Sequence, residues 1–263
     1  MGTLGAATGL NRMGVHLRTV EPGFAGTNRH FHTVEEEWAY VMSGNGRLRI
    51  GPREFNVKAG HFAGFPPGPR PHHFVNDGTG GLVFLEGGES RAAEDGCWYP
   101  DARMMSRGRK LVEPYEDPPP EEGDEHQLLH IDHVPVKDFC HDVDPGARRQ
   151  MRTLRAPTDL KRQALYWARV QARDRSTAFH HHRKTDEWVL ILSGAATATV
   201  GDRSFEVGPN DFIGYPAGGD PHVLEAVTDL TYLMGGQVDP SDLVIYPRHG
   251  LKRVGRRLSP FEQ

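Results

Sequence analysis

This chain is poor in sulfur, in basic excess and in long apolar runs, and each shortage removes a class of protein. Its 263 residues include only two cysteines, Cys97 and Cys140. Two thiols cannot build the dense disulfide framework of a small secreted domain. They read as reduced cysteines of a cytoplasmic protein, a single disulfide between them being the alternative. No stretch approaches the run of about 18 apolar residues that marks a spanning helix, so no membrane partner is expected. The opening segment, MGTLGAATGL, lacks the charged and apolar regions of a secretory signal, and its sixth residue is alanine where myristoylation needs serine or threonine. With 31 Lys+Arg against 35 Asp+Glu the net charge is -4, which offers no basic stripe to a nucleic acid. What the chain has instead is 31 glycines and 20 prolines beside 37% hydrophobic residues. That mix suits short strands and tight turns better than a helical bundle.

The chain also repeats itself. Thr3 to His72 aligns with Thr153 to His222 at a constant offset of 150 residues without a gap, and 24 of the 70 aligned positions are identical. Beyond that segment the register drifts through turn-like stretches: LVFLEGG (82–88) matches LTYLMGG (230–236), and Asp95 with Tyr99-Pro100 matches Asp242 with Tyr246-Pro247. Each copy therefore occupies about 100 residues, a domain-sized length. Between the copies lies EPYEDPPPEEGDE, acidic and proline-rich, read as a solvated linker. The division expected is 1–112, a linker at 113–126, and 127–263. Leu128 to Val136 reads as a strand with no counterpart ahead of the first copy. The shared pattern T-L-x-A-x-T-x-L-x-R at 3–12 and 153–162 has no chemical explanation at this level. Val41, Leu48, Ile50, Phe55 and Val57 alternate between glycines, as Ile191, Val200, Phe205 and Val207 do, which predicts an all-β sandwich or barrel in each copy.

The identities concentrate on chemistry. His30, His32, Glu37 and His72 recur as His180, His182, Glu187 and His222. Alternate residues of a strand share a face, so each His-x-His pair projects into one space. The fourth residue ends a segment built alike in both copies, Phe-x-Gly-aromatic-Pro-x-Gly-x-x-Pro-His. Three imidazoles and a carboxylate make a mixed N/O site suited to iron or manganese first, and also to nickel, cobalt or zinc, with one metal expected per copy. A lone His-x-His arises by accident; a four-residue constellation duplicated in register does not. His61, His73 and His181 are not kept between copies, and His126, His130, His133 and His141 lie outside the repeat, so these read as surface or supporting residues.

At these residues the sequence resembles the cupin superfamily, and specifically a bicupin. The motif G-x5-HxH-x3,4-E-x6-G is matched from His30 to Gly44 and from His180 to Gly194, although its leading glycine is off register in the first copy and absent in the second. The motif G-x5-PxG-x2-H-x3-N is matched by Gly60, Pro66, Gly68, His72 and Asn76, with one extra residue before the histidine in both copies. The second copy has Asn210 for the first glycine and Ala226 for the asparagine. The resemblance covers most of the chain. It implies two tandem cupin barrels (double-stranded β-helix, jelly-roll) with a metal inside each and a small-molecule substrate entering at one mouth. It further implies a metal-dependent dioxygenase acting on a chelating enol, diketone or phenolic compound, with Glu37 or Glu187 moving a proton. The alternatives are a non-oxidative lyase, decarboxylase or isomerase, or a non-catalytic binding protein. Cupin sheets pair across subunits in many members, so a homodimer is expected unless the two barrels already satisfy each other. Arg47 and Arg49 mark the first copy as the holder of an anionic substrate only if they face inward; solvent-facing is the plainer expectation.

Overall fold

The computed structural model describes residues 2–108, 110–114 and 127–261. Of the expected linker, Glu113 and Pro114 end a strand, Lys110–Pro114, that pairs with Met104–Arg107. The remainder, residues 115–126, lies outside the described residues. Among the described residues no helix is long and apolar enough to cross a membrane.

Two compact β units carry the two copies. Unit 1 comprises Met1–Leu4, Arg12–His133 and Arg155–Leu160, and unit 2 comprises Gly5–Asn11, Val134–Leu154 and Lys161–Gln263. The same three sheets recur in each. In unit 1 the strands Met13–Val20, Leu82–Glu89, Glu37–Ser43 and His61–Phe65 are neighbours in a six-stranded sheet, and in unit 2 Gln163–Val170, Leu230–Gln237, Glu187–Ser193 and Phe212–Tyr215 repeat that order. A three-stranded sheet centred on Asn45–Ile50, or on Ala196–Val200, faces it, and a four-stranded sheet starts at each His-x-His strand. The architecture is a double-stranded jelly roll, made twice.

Alternation explains the closure. Ala39 and Val41, with Leu48, Ile50, Val57, Phe74, Leu82 and Phe84, form the buried interior of unit 1. Val189, Ile191, Ala196, Ala198, Val207, Leu224, Leu230 and Tyr232 do the same in unit 2. Each side chain taken fully out of water at such positions contributes about 1.5–3 kcal/mol.

Two unexplained sequence features acquire causes. The strand expected at the head of the second copy is divided: Leu128–His130 pairs with His61–Phe65 inside unit 1, and unit 2 takes up the chain at Val134. The T-L-x-A-x-T-x-L-x-R segments occupy equivalent places. In unit 2 Thr8 and Leu10 cover Gly214, where an added Cβ would come within 2.2 Å of the threonine hydroxyl; in unit 1 Thr158 and Leu160 cover Gly64, at 2.6 Å. Asn11 N–H also donates to Asp186 Oδ2 at 3.0 Å.

The glycine pairs of LVFLEGG and LTYLMGG matter for the site. Gly87 and Gly235 lie on the fully buried rings of Trp38 and Trp188, and Cβ atoms there would approach the rings to 2.6 and 2.5 Å. At Gly88 and Gly236 a Cβ would meet the Glu36 and Asp186 carbonyls at 2.8 Å and the Cγ of Glu37 and Glu187 at 3.0 and 3.1 Å. Only glycine lets that strand pass so near the two glutamates. Gly236→Ala is therefore expected to destabilise the protein by about 1–3 kcal/mol, as overpacking does, and to lower metal content at unit 2 by displacing Glu187. Urea titration and elemental analysis check it; an unchanged midpoint with full metal content would remove the role assigned to this glycine.

The Asn210 departure from the family pattern is conformational. Gly60 has φ +91° and Asn210 has φ +71°. Asparagine is among the few residues that enter the left-handed region at modest cost, so the turn survives the exchange.

Candidate metal centre

Each centre draws four side chains from three segments, one from each of the three sheets of its unit. His30 and His72 are cross-strand partners: His72 N–H donates to the His30 carbonyl at 2.8 Å and His30 N–H to the His72 carbonyl at 3.3 Å. His180 and His222 repeat the pair at 2.8 and 3.2 Å. Phe31 turns away into the core, which leaves His32 on the side of His30. Glu37 and Glu187 open their strands directly opposite Gly88 and Gly236.

The result is nearly the same twice. Glu37 Oε2 lies 3.2 Å from His72 Nε2, 3.4 Å from His30 Nε2 and 3.4 Å from His32 Nε2. Glu187 Oε2 lies 3.2 Å from His222 Nε2, 3.4 Å from His180 Nε2 and 3.3 Å from His182 Nε2. All eight residues singled out by the repeat are thus gathered into two clusters of four.

The opposite ring nitrogens show that these clusters suit a cation. His30 Nδ1 lies 2.8 Å from the Asn28 carbonyl, His180 Nδ1 2.9 Å from the Ala178 carbonyl, and His72 Nδ1 3.3 Å from the Arg70 carbonyl. His32 Nδ1 and His182 Nδ1 each lie 2.5 Å from a carboxylate oxygen, of Asp95 and Asp242. These partners accept only, so each of these five Nδ1 atoms carries a hydrogen and leaves its Nε2 for the cluster; Nδ1 of His222 is buried without a hydrogen-bond partner. Three Nε2 atoms around a carboxylate, once free of any proton, are a donor set that a divalent transition metal fits.

Asp95 and Asp242 were not recognised as site residues in the sequence, although their duplication beside Tyr-Pro signalled them. Asp95 Oδ1 also accepts the N–H groups of Thr33, Val34 and Glu35 at 3.1, 2.8 and 3.2 Å, fixing the turn between His32 and Glu37. Asp242 Oδ1 accepts Lys184 N–H at 2.7 Å and its Oδ2 accepts Thr185 Oγ1 at 3.0 Å. Burial works to raise both carboxyls, but the histidine bond and these amides hold them below the ordinary value, so they stay ionised at neutral pH. The shared aromatic of the second motif is explained too. Phe65 stacks on His72 with centroids 3.6 Å apart, and Tyr215 on His222 at 3.5 Å.

Charge balance within each cluster follows from this packing. Burial holds His72 and His180 at about 4, hence neutral. Burial also opposes charge on His182, but the Glu187 and Asp242 carboxylates outweigh it and push the imidazole up to about 10; His32 is raised likewise by Glu37 and Asp95. Burial would raise Glu37 and Glu187, yet the neighbouring imidazoles hold both well below the usual range. A metal entering at neutral pH displaces the imidazolium proton, so affinity rises with pH.

The space beside the clusters differs between units. In unit 2 a cavity of about 90 Å³ touches His180, Glu187 and His222 and is walled by Arg149, Tyr215, Tyr232 and Met234. In unit 1 the equivalent positions hold an ion pair, Arg18 with Glu86 at 2.6 Å, and Phe74 stacked on Phe84 at 4.5 Å, and a cavity of about 320 Å³ opens instead beside His30, His32, Cys97 and Tyr99. Ala168, Met234, Leu224 and Tyr232 hold those places in unit 2. Arg47 and Arg49 face outward, Arg47 toward Glu54 at 3.0 Å and Asp77 at 2.7 Å, and Arg49 toward the Gly51 carbonyl at 3.1 Å. Asn76 is structural, bonding the Val20 and Gly80 carbonyls at 2.7 and 2.8 Å. His141, outside the repeat, is buried edge-on to Tyr246 at 5.3 Å and held at about 4 by burial.

The family described as Cupin_2, cupin domain, matches residues 16–87 and again 166–234. The chain belongs to the cupin family. Over 75 residues this bicupin is 40% identical to the oxalate decarboxylase OxdC of Bacillus subtilis, a stretch that spans 27% of this chain and only 19% of that protein. A solved salicylate 1,2-dioxygenase from Pseudoaminobacter salicylatoxidans, in complex with gentisate, shares its fold with a TM-score of 0.65 at 13% identity, over 86% of this chain and 68% of that one. A solved B. subtilis oxalate decarboxylase, described for its Mn(II) centres, gives 0.56 at 17% identity over 88% and 70%. The Ylba protein of E. coli gives 0.56 at 14% identity over 87% and 78%. These likenesses establish the cupin fold; the reaction has to be argued from the site.

Proposed function

We propose that this bicupin is a metal-dependent dioxygenase that binds one divalent transition metal per barrel, iron or manganese in unit 2, and turns over a small chelating enol, diketone or phenol there. His30, His32, Glu37 and His72 are the ligands of one centre, and His180, His182, Glu187 and His222 those of the other. The observation that carries the assignment to unit 2 is the lining of its cavity: that space reaches His180, Glu187 and His222 between Tyr215, Tyr232 and Met234, whereas the space beside His30 and His32 in unit 1 is lined by Glu35, Asp95, Cys97 and Ser106 and does not touch Glu37 or His72. A bound redox metal would supply sites for the substrate oxygens and for dioxygen, and the means to pass electrons between them.

The residues divide the remaining work. Tyr215, Tyr232 and Met234 present ring and thioether surface to a planar substrate, and exclude water from it. Arg149, at the cavity wall and stacked on Phe139 with its guanidinium carbon 4.7 Å from the centroid, favours an enolate or phenolate over the neutral compound. Glu187 is the base within reach of the substrate hydroxyl and takes its proton, the role Glu37 would have in unit 1.

Oxygen uptake by the iron- or manganese-loaded protein, measured with diketones, catechols and flavonols, tests the reading. Consumption of one dioxygen per substrate, abolished by His180→Ala and retained in His30→Ala, is expected. Turnover that proceeds without oxygen and equally well with zinc would replace it by a Lewis-acid lyase or decarboxylase.

A further inference from the structure

We propose that the metal centre of unit 1 has a fifth donor, the thiol of Cys97, which makes it a thiolate-bearing site distinct in metal preference from the centre of unit 2. The proposal rests on reading His30, His32, Glu37 and His72 as metal ligands.

Cys97 stands directly opposite His32 in the pairing of Gly96–Tyr99 with Phe31–His32. Its sulfur, one ring nitrogen of His30 and one of His32 all lie within 4.8 Å of one another. The side chain is only 7% exposed and is a free thiol. It lines a cavity of about 320 Å³ together with His30, His32 and Tyr99, so it faces the cluster and not the packed interior. Tyr99, two residues on and therefore on the same face, stacks near His30 with centroids 6.0 Å apart.

Unit 2 supplies the contrast. The residue opposite His182 in the matching strand pair is Val244, which has no donor atom. Around it the other elements are preserved: three imidazoles, one glutamate, the aspartate behind the second histidine and the tyrosine. The two centres therefore differ by one sulfur in contact with the histidines. Thiolate is a soft ligand that favours zinc and cobalt over manganese, and a bound cation lowers a thiol's pKa until the thiolate is the ligand. Unit 1 then has a soft centre while unit 2 keeps the harder N/O set for chemistry.

Cobalt(II) reports on this directly. Full-length metal-free protein, loaded with cobalt alone, is compared with Cys97→Val, Cys97→Ser and Cys140→Ser, each assayed for cobalt content and near-ultraviolet absorption. Wild type and Cys140→Ser are expected to show a thiolate-to-cobalt charge-transfer band, and both Cys97 variants to lose it while still binding one cobalt in unit 2. In folded Cys140→Ser, cobalt is also expected to shield the remaining thiol from a disulfide reagent. A band that is absent from fully loaded wild type, or that survives in Cys97→Val, together with a thiol indifferent to cobalt, would overturn the proposal and leave Cys97 as a packing residue. Failure of wild type to take up one cobalt per centre would instead strike the underlying metal reading, and this proposal with it.

Discussion

His30→Ala is expected to reduce tightly bound metal from one ion in each barrel to one in unit 2 alone, and His180→Ala to leave one in unit 1 alone. The double variant should be metal-free. The reason is geometric. In each barrel the three Nε2 atoms lie 3.2–3.4 Å from a single glutamate oxygen, so removing one imidazole leaves three of these four donors and opens the cluster to water. Stability should follow occupancy, because a metal that binds only the folded chain adds about 2.7 kcal/mol at a free concentration a hundred times its Kd. Chelation of wild type therefore lowers the melting temperature, and chelation of the double variant leaves it unchanged. Elemental analysis alongside thermal unfolding reads both. Undiminished metal in either single variant would mean that the duplicated residues are not the ligands.

The second large effect is expected one bond further out. Asp95→Asn and Asp242→Asn should each weaken metal binding at their own centre by about 10–100-fold, the usual consequence of disturbing the partner behind a ligating histidine. An asparagine there has one accepting oxygen, and the backbone N–H groups of Thr33, Val34 and Glu35, or of Lys184, compete for it. Its NH2 group would then face Nδ1 of His32 or His182, and two donors cannot bond. The ring escapes by moving its hydrogen to Nε2, the nitrogen the metal needs. Competition against a calibrated chelator measures the loss centre by centre. Equal affinities in wild type and variant would show that the 2.5 Å contacts only position the turn.

The candidate ligand set was legible because it rests on local rules. A strand repeats every two residues, so His-x-His declares a shared face, and a gap-free copy 150 residues on shows which histidines belong together. His61, His73 and His181, unmatched between copies, were separated from the site by the same comparison. Asp95, Asp242, Tyr99 and Cys97 were harder to place. They come from the segments at 95–99 and 242, some 60 residues downstream of the histidines they touch, in a region where the copies have slipped register. The T-L-x-A-x-T-x-L-x-R pattern was visible and mute, because its purpose is to cover Gly64 and Gly214 and neither glycine lies near it in the chain.

By itself, then, the sequence determined the β class, the duplication and the eight candidate ligands, all of which follow from residue type and short-range spacing. The tertiary structure alone decided how the space beside each cluster is lined. Arg18, Phe74, Phe84 and Glu86 are unremarkable as letters, as are Ala168, Leu224, Tyr232 and Met234. Their volumes and charges acquire meaning only when the sheets close around one interior. There an ion pair and two stacked rings stand in unit 1 where unit 2 has an alanine, a methionine, a leucine and a tyrosine, the last three lining its cavity of about 90 Å³.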